Sequence, residues 1–175
     1  CKRSTAIPPR NRISNTLSYH EFFVFPTDFL KKIPGRRTSC FPQPCLKLFS
    51  VYFAAGGYEI RSRFFKGCVP PKDVSLVKAE GSPADVCSVF EGFMDFLSAA
   101  TLGLETGDCL VLNSVANVEK AMRYLDGYKR IDCYLDRDEA GRRTLEMLKG
   151  HYEERVCDRS ALYDGCKDLN EYLQL

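Results

Sequence analysis

The stretch IDCYLDRDEAGRR, Ile131–Arg143, decides the fold. Four of its first five residues are apolar or aromatic, as in a buried strand. Two aspartates one residue apart follow, Asp136 and Asp138, then Gly141 and the pair Arg142–Arg143. Adjacent carboxylates repel unless something positive lies between them. A strand that ends on such a pair and runs straight into a helix reads as half of a βαβ unit with chemistry at its carboxyl end.

Working outward, the same alternation recurs on both sides. Upstream, ADVCSVFEG is a short apolar run that ends at Glu91 and Gly92. Phe93, Phe96, Leu97 and Ala100 then share one helix face. The segment GLETGD breaks the chain, and CLVLNS is a second buried strand. Val118, Ala121, Met122 and Leu125 form a second amphipathic helix, stopped by Gly127. IDCYL is the third strand, and EAGRRTLEMLKG is a third helix, expected to stop at Gly150. ERVCD is a fourth strand, and KDLNEYLQL is a short terminal helix or turn. Strands alternating with helices of this length predict an α/β fold. Its parallel sheet should have about four strands, covered by helices on both faces.

In such sheets ligands bind beyond the carboxyl ends of the strands. Glu91, Asp136 and Asp138 all fall at strand ends. If the first and third strands are neighbours, the three carboxylates gather in one crevice, and a hard divalent cation such as Mg²⁺ cancels their repulsion. Taken alone, D-x-D-x-x-G is also compatible with a solvated turn in which aspartate caps the next helix.

The rest of the chain differs in composition. Residues 1–52 carry nine basic side chains against two acidic ones; the remainder carries sixteen against twenty-one. Six of the nine prolines precede residue 45. Residues 1–52 therefore read as a basic, Pro-rich segment with little periodicity. They are either a lead-in or a nucleic-acid-facing arm. Residues 53–82 form a second basic stretch, in which GGYEIRSRFFKG reads as a strand ending at Gly67. Arg61, Arg63, Lys66 and Lys72 cluster there with Phe64 and Phe65 among them. That arrangement suits a nucleic-acid strand, and equally a strand with one solvated face. Ser114, at the end of the second strand, is placed either to touch a phosphate or to cap a helix.

Hydrophobic residues make up 45% of the chain, enough for a core. No run approaches the roughly 18 apolar residues of a membrane span, and no apolar run follows the first basic residues, so no signal peptide is expected. The nine cysteines are scattered and several lie inside apolar runs. Reduced, buried thiols in a cytoplasmic protein are the expectation. No C-x-x-C pair supports zinc.

The pairing of VCSVFEGFMDFLSAATLG with RIDCYLDRDEAGRR resembles the Toprim domain, and FEGFMD and YLDRDEAGR are most similar to bacterial-type primases. KDLNEYL resembles the segment after the fourth strand that bears a further acid, here Asp168. GGYEIRSRFFKG resembles the basic segment that precedes the core in primase-like proteins, several of them carried on mobile elements. The resemblance covers roughly residues 56–175, with a catalytic core over 83–175. It implies a Rossmann-like sheet and Mg²⁺-dependent (or Mn²⁺-dependent) nucleotidyl transfer: primer RNA synthesis in replication of chromosomal or mobile DNA. Asp136, Asp138 and Asp168 would be metal ligands, and Glu91 a ligand or the general acid/base. Arg61, Arg63, Lys66, Lys72, Ser114 and Arg142 would contact nucleic acid or nucleotide. Single-stranded DNA and nucleoside triphosphates are the implied partners, with a replicative helicase or relaxase beside them. A Toprim-type nuclease and a non-catalytic nucleic-acid-binding module are the alternatives.

Overall fold

The computed structural model describes residues 49–62, 65–79 and 84–175. Two sheets organise them. The smaller has three antiparallel strands, β1 (Phe49–Tyr52), β2 (Tyr58–Ser62) and β3 (Phe65–Val69), in that order. The alternating segment expected as one strand is thus a hairpin. Arg61 lies opposite Lys66 and Glu59 opposite Cys68. A five-residue strand gains its hydrogen bonds only by pairing, and the chain supplies the partner by doubling back.

The larger sheet has five strands in the order β4-β6-β5-β7-β8, namely β4 (Ser75–Val77), β5 (Val86–Phe90), β6 (Asp108–Val111), β7 (Arg130–Tyr134) and β8 (Val156–Asp158). The last four are parallel, as the sequence predicts. β4 adds an antiparallel edge against β6. The sheet therefore reaches back across the boundary expected near residue 82. Asp108, buried at the start of β6, holds that lead-in. It accepts from Lys78 Nζ at 2.7 Å, the Tyr128 hydroxyl at 2.5 Å and the Ala79 N–H at 2.9 Å.

Period-two burial sends alternate residues of each central strand to opposite faces. Cys87, Val89, Leu110, Ile131 and Cys133 point to one face, packed with Val118, Ala121 and Leu125 of α2 (Val118–Leu125) and Leu148 and Tyr152 of α3 (Glu139–Tyr152). Phe90, Cys109, Val111 and Tyr134 point to the other. They meet Phe93, Phe96 and Ala99 of α1 (Phe93–Leu102) and Leu169 of α4 (Leu169–Leu173). α3 does not stop at Gly150. It runs on to Tyr152, whose buried ring and hydroxyl, donating to Met122 O at 2.7 Å, outweigh the weak helix propensity of one glycine. Cys87, Cys109, Cys133 and Cys166 are free and buried, whereas Cys68 is free and exposed and Cys157 is disulfide-bonded, so the expectation of reduced, buried thiols holds for only part of the set.

The topology places the site. β5 is followed by α1 on one face, while its neighbour β7 is followed by α3 on the other. Connections that leave adjacent parallel strands toward opposite faces open a crevice at their carboxyl ends.

Candidate metal centre

Four elements deliver acids to that crevice: β5, α1, β7 and α4. β5 ends at Phe90, so Glu91 is the first residue beyond the sheet, and its carboxylate accepts from the Asp136 N–H at 3.4 Å. Gly92 follows, and a Cβ there would stand 2.9 Å from Asp95 Oδ2. Its glycine thus leaves room for a carboxylate in the first turn of α1. Asp95 is only 7% exposed and accepts from the Asn170 N–H of α4 at 3.1 Å.

After β7 the chain crosses the crevice at Asp136, Arg137 and Asp138. Asp138 caps α3, accepting from the Gly141 N–H at 3.0 Å. Gly141 is required for close approach: a Cβ would lie 2.0 Å from the Asp136 carbonyl oxygen. Asp168 caps α4, accepting from the Glu171 N–H at 2.7 Å. Oxygens of Asp95, Asp136 and Asp168 all lie within 4.8 Å of one another. Lys167 faces them, its Nζ 3.0 Å from Asp136 Oδ2 and 3.9 Å from Asp138 Oδ2.

Crowded, partly desolvated acids resist ionisation. Burial, then the Asp136 charge, pushes Glu91 up to about 7. Burial, then the Asp168 charge, does the same to Asp95, also to about 7. Asp136 is raised by burial, with the Lys167 ammonium pulling against that. Carboxyls shifted this far by burial and by neighbouring like charge make the crevice a candidate functional site. The donor set is all oxygen, which suits a hard divalent cation.

The structure thus gathers Asp136 and Asp168 of the expected ligands and adds Asp95, which the sequence reading missed. Its signal was available: an acid four residues after Glu91, inside the apolar stripe of α1. Glu91 adjoins through the Asp136 peptide, and Asp138 adjoins through Lys167. The expected basic residues lie elsewhere. Arg61 Nε is 2.8 Å from Glu59 Oε1, and Lys72 is 3.9 Å from the other oxygen of that buried acid. Lys66 is exposed, and Arg63 lies outside the described residues. Ser114 Oγ accepts from the Ala116 N–H at 3.4 Å, capping a short 3-10 turn. Arg142 is exposed on α3, with a guanidinium N–H donated to Arg137 O at 3.0 Å.

Residues 88–173 match the family described as Toprim-like. The fold is similar to the primase fragment of the bacteriophage T7 primase-helicase protein at 19% identity and a TM-score of 0.55, over 71% of this chain and 56% of that one. The E. coli primase catalytic core aligns at 18% identity and a TM-score of 0.45, over 74% and 48%. The chain thus spans about half the length of these primase chains. No curated protein sequence matches it. Among the described residues no helix is long and apolar enough to cross a membrane.

Proposed function

From the premise that this chain carries a Toprim-like domain over residues 88–173, we propose that its acidic crevice performs Mg²⁺-dependent nucleotidyl transfer on DNA, making RNA primers as a primase does. The observation that carries this reading is the convergence of Asp95, Asp136 and Asp168 within 4.8 Å at the switch point of the parallel sheet. Those three would hold Mg²⁺, with Mn²⁺ as a substitute, and Glu91 and Asp138 would flank it. When bound, the ion neutralises phosphate charge and favours in-line displacement.

The reaction joins a 3′-hydroxyl oxygen to the α-phosphorus of a nucleoside triphosphate. The bond from that phosphorus to the bridging oxygen breaks, and pyrophosphate leaves. The hydroxyl proton needs an acceptor. Glu91, with a carboxyl pushed up to about 7 and facing the Asp136 N–H at 3.4 Å, is suited to take it. Lys66, with Arg61, Arg63 and Lys72, would track a single-stranded DNA template. Arg142 and Ser114 would meet the nucleotide. A replicative helicase or relaxase would supply the template, on chromosomal or mobile DNA.

The test is synthesis of short oligoribonucleotides from nucleoside triphosphates on single-stranded DNA with Mg²⁺. The Glu91→Gln variant should lose roughly 10²- to 10⁴-fold in rate, and Asp136→Asn should be inactive. Cleavage of DNA in place of nucleotide addition would reassign the same acids to a nuclease. Neither activity in the intact chain would leave a binding module.

A further inference from the structure

We propose that Lys167 is a built-in counter-cation of the acidic crevice, which an incoming divalent cation displaces. The inference rests on the metal-binding reading above and goes beyond it, because it assigns a role to a residue outside the ligand set. Lys167 is not a lysine that merely drifts near an acid. Its carbonyl accepts from the Arg137 N–H at 2.7 Å, and its own N–H donates to Glu171 Oε2 at 2.5 Å. Arg137 is the residue between Asp136 and Asp138, so the backbone of Lys167 is held in register with both acids.

The charges around it are unbalanced. Glu91, Asp95, Asp136, Asp138 and Asp168 converge here. Among the described residues Lys167 is the one cation within ion-pair distance of any of them. Arg137, though adjacent in sequence, turns away to pair with Asp164 and the Tyr163 carbonyl. Arg142 is engaged by the Arg137 carbonyl.

The ammonium and a metal would share a ligand. Asp136 takes the ammonium at 3.0 Å and is also one of the three acids that lie within 4.8 Å of one another. Two cations on one carboxylate repel. The one that can leave is the lysine, whose side chain is 58% exposed and flexible along its four-carbon stem while its peptide stays fixed. Once released, the ammonium remains within side-chain reach of the rim, where an anionic phosphate arrives. The exchange would therefore favour metal and phosphate binding together.

The experiment is calorimetric titration of the full chain with Mn²⁺ alone, at low ionic strength. Lys167→Gln should bind Mn²⁺ about fivefold tighter or more, the lower end of ordinary coupling between two ligands. Lys167→Arg keeps the charge and should stay near the wild type. Lys120→Gln removes an exposed charge from α2 and should also stay near the wild type. Equal or weaker binding by Lys167→Gln would overturn the proposal, as would the same gain in Lys120→Gln, which would reduce the effect to net charge. If wild type and Lys167→Gln bind alike, only the lysine role falls. If neither binds Mn²⁺, the metal reading falls and this proposal with it.

Discussion

At Gly141 the site depends on the absence of a side chain. A Cβ there would overlap the Asp136 carbonyl at 2.0 Å, with the Asp136 carbonyl carbon at 2.9 Å. Both contacts are backbone, so nothing flexible can yield. Gly141→Ala should destabilise the protein by at least the roughly 1–3 kcal/mol of ordinary overpacking. It should also weaken Mn²⁺ binding, because the strand end that carries Asp136 must move. Urea denaturation and metal titration of the same variant check both, and unchanged stability would show that the loop relaxes freely. The acids themselves predict a pH dependence. Glu91 and Asp95 titrate at about 7 in the folded protein, against about 4 in an unfolded chain. Between those values the metal-free fold binds more protons than the unfolded state, so stability falls as pH rises. The contribution is complete below about pH 4 and lost as pH passes 7. Melting temperature in chelator should drop from pH 5 to pH 8, and the Glu91→Gln/Asp95→Asn double variant should show a flatter profile. An equally steep profile in that variant would assign the slope to other groups.

At the scale of elements, two of the acids do structural work as well. Asp138 caps α3 and Asp168 caps α4. Asparagine caps as well as aspartate, and alanine does not. Asp138→Ala should therefore cost about 0.5–2 kcal/mol, whereas Asp138→Asn should hold its stability while still impairing any metal-dependent reaction. Asp136 caps nothing, and Asp136→Asn removes one charge from a crowd. Its melting temperature without metal should hold or rise. Chemical denaturation of the three variants separates the two jobs, and a large loss in Asp136→Asn would mean that this residue holds the fold together. The same contrast shows what sequence could reveal. β5, β6 and β7 were readable as short apolar runs because both of their faces are buried, and α1 to α3 because one buried face imposes a period of about 3.6. The acids at strand ends were readable because topology fixes where those ends lie. β4 was not, because three residues carry no period and become a strand only by pairing with β6. The β2–β3 hairpin was hidden because YEIR alternates as a strand does and no Gly or Pro marks the reversal between Ser62 and Phe65. Asp95 and Lys167 escaped notice because a lone charge on a helix or in an acid-rich loop ordinarily reads as solvated; only tertiary packing gives them partners.

At the scale of the whole molecule, the charge is divided. Residues 1–52 carry the whole basic excess, while the remainder is net acidic. Affinity for single-stranded DNA in the 49–175 region must then come from a local patch. Glu59 already engages Arg61 and lies 3.9 Å from Lys72, which leaves the exposed Lys66 with the least internal competition. Lys66→Ala should weaken binding to all sequences alike and reduce the salt slope by roughly one unit. The fragment for this test must begin at residue 49, not 53, because β1 pairs with β2. If binding appears only when residues 1–48 are present, the patch is a solvated face. The crevice has one further bearing on the molecule. Its three converging acids come from both sides of the sheet: Asp95 and Asp168 belong to the α1–α4 side, while Asp136 leads into α3 on the other. An ion bound there would tie the two packed layers together, and amide exchange in α3 and α4 should then slow in step as metal is added.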